Sequence, residues 1–210
     1  ALAKLLSIKW GAAFMDMGTG KSLTAIIMAT SRHARGKIDN VLWFTPVSLM
    51  DNVRRQIKEH TGTDEHVHVF SAKTNEHTVQ NCFWHVIGLE SMGSSNRTVL
   101  TVHKLITERS MIIIDESDKI KGHRAKRTGR LTLLSRVARY RLIMTGTPIT
   151  QGVVDLFAQM SFLSPKILGY TSFYSFAANH LEYSDKYRGM IVKSHNTEEL
   201  ANKIKPYVYQ

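Results

Sequence analysis

Gly18, Gly20, Lys21 and Ser22 lie within Met15-Asp16-Met17-Gly18-Thr19-Gly20-Lys21-Ser22, a stretch whose residue types and spacing suit a polyphosphate. Two glycines let backbone N–H groups close around phosphate oxygens with no Cβ in the way. A lysine directly after them reaches the outer phosphates, and the hydroxyl that follows suits Mg²⁺. Met17, Gly18, Thr19, Gly20, Lys21 and Ser22 are therefore the expected nucleotide-binding residues. The full phosphate-loop pattern has a glycine at position 15, where this chain has Met. Taken alone, the stretch also reads as an ordinary glycine-rich turn.

Two more stretches bear on the same chemistry. Asp115-Glu116 closes the apolar run Met111-Ile112-Ile113-Ile114. An acid at the end of a buried strand, facing a phosphate loop, holds Mg²⁺ through its water shell, and a neighbouring carboxylate orients and deprotonates an attacking water. Ser22 and Asp115 are expected at the metal and Glu116 as the base, so Lys21, Asp115 and Glu116 form the expected catalytic set. The competing reading is a pair of acids that caps the next element. Thr145-Gly146-Thr147-Pro148 follows Leu142-Ile143-Met144. Its hydroxyls suit hydrogen bonds to the carboxylates or a relay to a bound polymer, so Thr145, Gly146 and Thr147 are the expected coupling residues.

These stretches need an element order that brings them together. Gly11 to Phe14 reads as a buried strand, and Leu23 to Ala34 as the helix whose positive end faces the same anion. Val41 to Thr45 reads as a second strand, stopped by Pro46. Ser48 to His60 reads as an amphipathic helix with Leu49, Val53 and Ile57 at four-residue spacing. His66–Phe70 and Phe83–Gly88 read as strands, Ser71–Asn81 as irregular, Ser91–Arg97 as a flexible connection, and Val99–Thr107 as a short helix. Leu2–Ile8 and Thr197–Ile204 read as further helices. Strands that are apolar on both faces belong inside a parallel sheet. Their alternation with helices gives an α/β domain with a mainly parallel central sheet, whose ligands bind at the carboxyl ends of the strands. The three stretches each follow a strand and are expected on one edge.

The formal net charge of +11 in 210 residues points to a polyanionic partner, nucleic acid before an acidic membrane. Cys82 is the only cysteine, which excludes an internal disulfide and a cysteine-rich metal site. No apolar run approaches the length of a membrane span. The ten histidines show no zinc-like spacing. From Lys119 to Val154 there is no acidic residue, while Lys119, Lys121, Arg124, Lys126, Arg127, Arg130, Arg136, Arg139 and Arg141 fall within it. That one-sidedness suits contact with a phosphate backbone, against the bland reading of a solvated basic face. Lys119, Lys121, Arg124, Lys126 and Arg127 are the expected nucleic-acid residues.

The chain resembles the first ATPase lobe of a superfamily-two helicase, of the Swi/Snf type. The resemblance rests on DMGTGKS, VLWFTPVSLMDNVRRQIKEH, VIGLESM, DESDKIKG and YRLIMTGTPITQGVVDLFAQMSFLSP, and runs from about Gly11 to the C-terminus. Asp118 stands where that group more often has His and matches the neighbouring DEAD-box group, and Gln151 stands where Asn is common. The resemblance implies a three-layer RecA-like P-loop NTPase domain that uses ATP and Mg²⁺. It also implies movement on double-stranded DNA, with Thr45 and Pro46 near the polynucleotide. Residues 1–210 are expected to be a single lobe with a core at about 9–165 and a helical part at 166–210. A second lobe of a longer chain would supply arginine fingers, and without it turnover is expected to be slow or absent. The lobe is expected to be monomeric, without a membrane, and intracellular wherever the genome lies. The alternatives are a DEAD-like strand-separating lobe on RNA or DNA, or a nucleotide-gated binding module that does not hydrolyse. A small-molecule kinase fits the first stretch alone.

Overall fold

The computed structural model describes residues 1–16, 18–187 and 189–210. Apolar residues at alternate positions of the strands feed two cores, one on each face of the sheet. Ala13, Val41, Trp43, Val86, Met111, Ile113, Leu142 and Met144 point to one side. They meet helices α1 (Leu2–Ser7), α2 (Lys21–Ala34) and α3 (Met50–Thr61) through Leu5, Ile26, Met28, Val53 and Ile57. Phe14, Leu42, Phe44, Ile87, Ile112, Ile114 and Ile143 point to the other side and meet later helices. Helices cover both faces, so the strands read as continuous apolar runs in sequence.

The strands are β1 (Trp10–Phe14), β2 (Asn40–Thr45), β3 (Val67–Val69), β4 (Trp84–Gly88), β5 (Ser110–Asp115) and β6 (Tyr140–Thr145). On the second face lie α4 (Ser91–Ser94), α5 (Asn96–Leu105), α6 (Lys126–Ser135), α7 (Val154–Leu163), α8 (Pro165–Leu168) and α9 (Phe173–His180). A hairpin of β7 (Leu181–Tyr183) and β8 (Ile191–Ser194), then α10 (Thr197–Ile204) and β9 (Val208–Tyr209), complete the described elements.

The main sheet has seven strands in the order β3-β4-β2-β5-β6-β1-β9, and every pairing in it is parallel. Register then sets the site. Phe14 pairs with Thr145, Asp115 with Met144, Phe44 with Ile114, and Thr45 with Gly88. The carboxyl ends of β1, β6, β5 and β2 are therefore side by side. The strand of the Thr145 loop sits between the strand of the phosphate loop and the strand of Asp115.

Two expectations change, and the basic stretch gains an element that its charge pattern did not address. Ser91–Arg97 is helical: α4 buries Met92, and the Ser95 hydroxyl accepts from the Thr98 N–H at 3.1 Å to cap α5. The basic stretch contains a helix, α6, with Leu131 and Leu134 turned into the core. The segment 166–210 is mixed rather than helical, with a hairpin and a ninth strand. That strand joins the main sheet by parallel pairing with β1, where Ala12 N–H donates to Tyr207 O at 2.8 Å, and the Lys4 ammonium donates to the carbonyls of Lys205 and Val208 at 2.8 and 2.6 Å beside it. No helix among the described residues is long and apolar enough to cross a membrane.

Candidate nucleotide site and its flanking basic surface

The phosphate loop leaves β1 at Met15, whose N–H donates to Thr145 O at 3.2 Å. Gly18 and Gly20 have φ of 78° and 85°, the left-handed region that glycine enters without a Cβ penalty. Gly20 precedes α2, and no side chain caps the first turn. The N–H groups of such a turn are open to an anion, and the helix dipole favours one there. The Lys21 ammonium donates to Met15 O and Asp16 O at 2.8 and 3.0 Å, so the loop's own carbonyls hold it at the mouth of the turn. Thr19 hydroxyl donates to Asp16 O at 2.6 Å and tightens the same turn. Met17, the remaining expected nucleotide residue, lies outside the described residues.

Lys21, Ser22, Asp115 and Glu116 line one open cleft of about 450 Å³ together with Gly18, Gly20 and residues of α3. Asp115 is 9% exposed. Burial raises its carboxyl pKa to about 6, and the neighbouring Glu116 carboxylate pushes the same way. The Glu116 N–H donates to Asp115 Oδ1 at 3.1 Å and, with Lys21, opposes the shift. Glu116 itself has φ of 50°, a conformation that costs a non-glycine residue roughly 1 kcal/mol. This left-handed turn ends the strand and sets the Glu116 side chain in the cleft that Lys21 and Ser22 also line.

A hydroxyl and two carboxylates beside an uncapped helix start are hard oxygen donors that suit Mg²⁺ more than a soft metal. A cation there would also relieve the charge that burial penalises at Asp115. Among the described residues no cluster of His, Cys, Asp and Glu forms a ready-made metal cage. Mg²⁺ bound mainly through a nucleotide's phosphates needs none.

The Thr145 loop differs in its contacts from expectation. Thr145 is fully buried, and its hydroxyl accepts from the Thr147 N–H at 3.1 Å inside its own loop. One side chain that joins this loop to the Asp115 segment is Gln159 of α7. It accepts from the Ser117 hydroxyl at 2.7 Å and donates to Pro148 O at 2.8 Å. Asp155, one turn earlier, accepts from Thr150 N–H and Gln151 N–H at 2.7 and 2.8 Å and from the Thr150 hydroxyl at 3.0 Å. Burial opposes its charge, but these bonds and Lys121 hold its carboxyl below the usual range. Sequence reasoning singles out neither residue. The available signal is two polar residues four apart in a mostly apolar helix, which must find buried partners.

The expected nucleic-acid residues divide. Lys119, Arg124 and Lys126 are exposed. Lys121 turns inward to the Thr150 hydroxyl and to Asp155 Oδ2 at 3.5 Å. Arg127 donates to Lys119 O at 2.7 Å, and its Nε is buried without a partner. Arg130 binds Met92 O at 3.0 Å and the Asn96 side chain, and Arg141, 9% exposed, binds Ala138 O and Leu163 O. These inward arginines hold helices together. Thr45 is fully buried at the end of β2 beside Asp115 and offers no surface to a polynucleotide. Pro46 is partly exposed and opens a single 3₁₀ turn over Val47–Leu49, with Leu49 N–H donating to its carbonyl at 2.8 Å.

Known proteins share this fold. The solved SWI2/SNF2 ATPase core of Sulfolobus solfataricus in complex with double-stranded DNA superposes with a TM-score of 0.77, at 22% identity over 99% of this chain and 41% of that one. The shared fold is the RecA-like one. The mouse DNA repair and recombination protein RAD54B is 30% identical over 179 residues, which are 79% of this chain and 19% of the relative. Mouse chromodomain-helicase-DNA-binding protein 6 is 25% identical over 166 residues, 71% of this chain and 6% of the relative. The chain thus spans under a fifth of the length of these curated relatives. Residues 11–208 match the family described as the SNF2-related domain, and the chain belongs to that family.

Proposed function

We propose that this chain is an ATP-binding motor lobe of a DNA-dependent ATPase that couples hydrolysis to movement on double-stranded DNA. The observation that carries this reading is the single cleft where Lys21 and Ser22 meet Asp115 and Glu116. The first-turn N–H groups of α2 bind the phosphates, and Lys21 exchanges its loop carbonyls for the outer phosphate oxygens. Ser22 and Asp115 hold Mg²⁺, which when bound neutralises charge on those phosphates. Glu116 takes the proton of the attacking water, a role worth about 10²–10⁴ in rate. Exposed Lys119, Arg124 and Lys126, with Pro46, contact the phosphate backbone of the duplex. A second lobe of the same longer protein completes the site, and this lobe by itself turns over slowly or not at all. Relatives named for DNA repair and recombination support DNA over RNA, and the polymer places the protein wherever the genome lies.

The test is ATP turnover with no polymer, duplex DNA, single-stranded DNA and duplex RNA, alongside Mg·ADP-dependent melting. Lys21→Ala is expected to abolish the rise in melting temperature with Mg·ADP, while Glu116→Gln keeps that rise and loses any turnover. An undiminished rise in Lys21→Ala removes that residue from the site. Stimulation by RNA alone replaces the duplex-DNA reading with a DEAD-like one.

A further inference from the structure

Gln159 and Asp155 sit one helical turn apart on α7, 0% and 3% exposed, in a helix whose other inward residues are apolar. Burying such groups is costly unless each finds partners. Here the partners come from two separate strand ends. Ser117 and Lys121 belong to the segment that follows Asp115-Glu116, while Pro148, Thr150 and Gln151 belong to the loop after β6. Ser117 is also fully buried, so its hydroxyl has no solvent to fall back on. The two segments exchange no side-chain hydrogen bond through Asp115, Glu116, Thr145 or Thr147 among the described residues, apart from the link from Lys121 to Thr150. Beyond the backbone pairing of β5 with β6, the rest of their polar connection runs through α7.

We propose that Gln159 and Asp155 are positioning residues: a staple that makes the Asp115–Lys121 segment and the Thr145–Gln151 loop shift together when nucleotide enters the cleft. A change at Glu116 would pull on Ser117, the next residue, and through Gln159 on the Pro148 carbonyl. Lys121 and Asp155 form a second, parallel link to Thr150 and Gln151. Buried bonds of this kind have few alternative partners, so the two segments have little freedom to move separately. This staple rests on the nucleotide-binding reading of the cleft.

The experiment is amide hydrogen exchange of this chain with and without a non-hydrolysable Mg·ATP analogue. It compares the parent with Ser117→Ala/Lys121→Met, which cuts both links on the Asp115 side and leaves the bonds between α7 and the Thr145 loop in place. In the parent, the analogue slows exchange at 18–24, 115–121 and 146–151. In the double variant, slowing persists at 18–24 and 115–121 and disappears at 146–151. A purely structural role would speed exchange at 146–151 equally with and without nucleotide, leaving the difference intact, and that result overturns the staple. So does a parent in which 146–151 never responds. If the parent shows no slowing at 18–24, the nucleotide reading itself fails. Gln159→Leu is the second variant: it cuts the Ser117–Gln159–Pro148 link from the α7 side, leaves Lys121 with Asp155 and Thr150, and is expected to reduce the slowing at 146–151 without abolishing it, whereas an undiminished slowing removes Gln159 from the staple.

Discussion

At Asp115 the end of β5 buries a carboxyl beside a second acid, and its pKa rises from 3.8 to about 6. The folded value lies above the unfolded one, so between about pH 4 and pH 6 the folded chain binds the extra proton and stability falls as pH rises through that window. Asp115→Asn removes the penalty. It is expected to stabilise the chain by about 2–3 kcal/mol near pH 7 and by almost nothing below about pH 4. Chemical denaturation at the two pH values measures this, and an equal effect at both would mean that Asp115 is not desolvated. The same substitution is expected to weaken Mg·ADP binding. A residue that costs stability and sits in a cleft fits a functional role better than a packing one. Glu116 adds a second cost through its left-handed backbone.

At the scale of elements, α6 shows how a basic sequence run divides by helical phase. Arg130 reaches back to Met92 O and Asn96 and ties α6 to α4 and α5, while Lys126, at the start of α6, stays in solvent. Arg130→Ala is therefore expected to cost about 1–3 kcal/mol in denaturant unfolding, because two elements lose charge-assisted bonds, whereas Lys126→Ala stays within about 0.5 kcal/mol. Equal costs would refute the division. Arg141 illustrates the same point on β6: burial lowers its pKa to about 10, and its guanidinium serves the carbonyls of Ala138 and Leu163 rather than a polymer.

Across the whole molecule, a net charge of +11 gives a polyanion such as duplex DNA a general attraction, and the proposed reading assigns the site-directed part to exposed Arg124 and Lys126 and to exposed Lys119, which also pairs with Asp118 at 3.5 Å. Replacing Lys119, Arg124 and Lys126 by Ala is expected to weaken duplex binding and to lower the slope of log affinity against log salt by about 0.9 for each phosphate that the variant no longer neutralises. Melting temperature is expected to hold. An unchanged salt slope would move the DNA-binding surface to another face. In the proposed reading, nucleotide and polymer are served by neighbouring strand ends of the RecA-like sheet: those of β1 and β5 for the one, and the 3₁₀ turn and loops after β2 and β5 for the other.

The phosphate loop, the acid pair and the Thr145 loop are legible because each is a local pattern set directly after an apolar strand, and β-strand periodicity needs no tertiary information. The parallel sheet follows from strands apolar on both faces, and the bounds of α10, Thr197 to Ile204, follow from its local pattern. The short elements are not legible. Whether Ser91–Arg97 coils or helices depends on a cap at Ser95 and on burying Met92, and β9 exists by pairing with β1, some two hundred residues earlier in the chain, beside which Lys4 holds the Val208 carbonyl. Above all, the sequence by itself determined which residue types stand at the strand ends, while only the tertiary structure decided which of them face the cleft. Burial closed Thr45 to a polymer, bonds to Asp155 and to the Lys119 carbonyl engaged Lys121 and Arg127, and packing set Asp155 and Gln159 between the Asp115 segment and the Thr145 loop, because a side chain's partners come from distant segments.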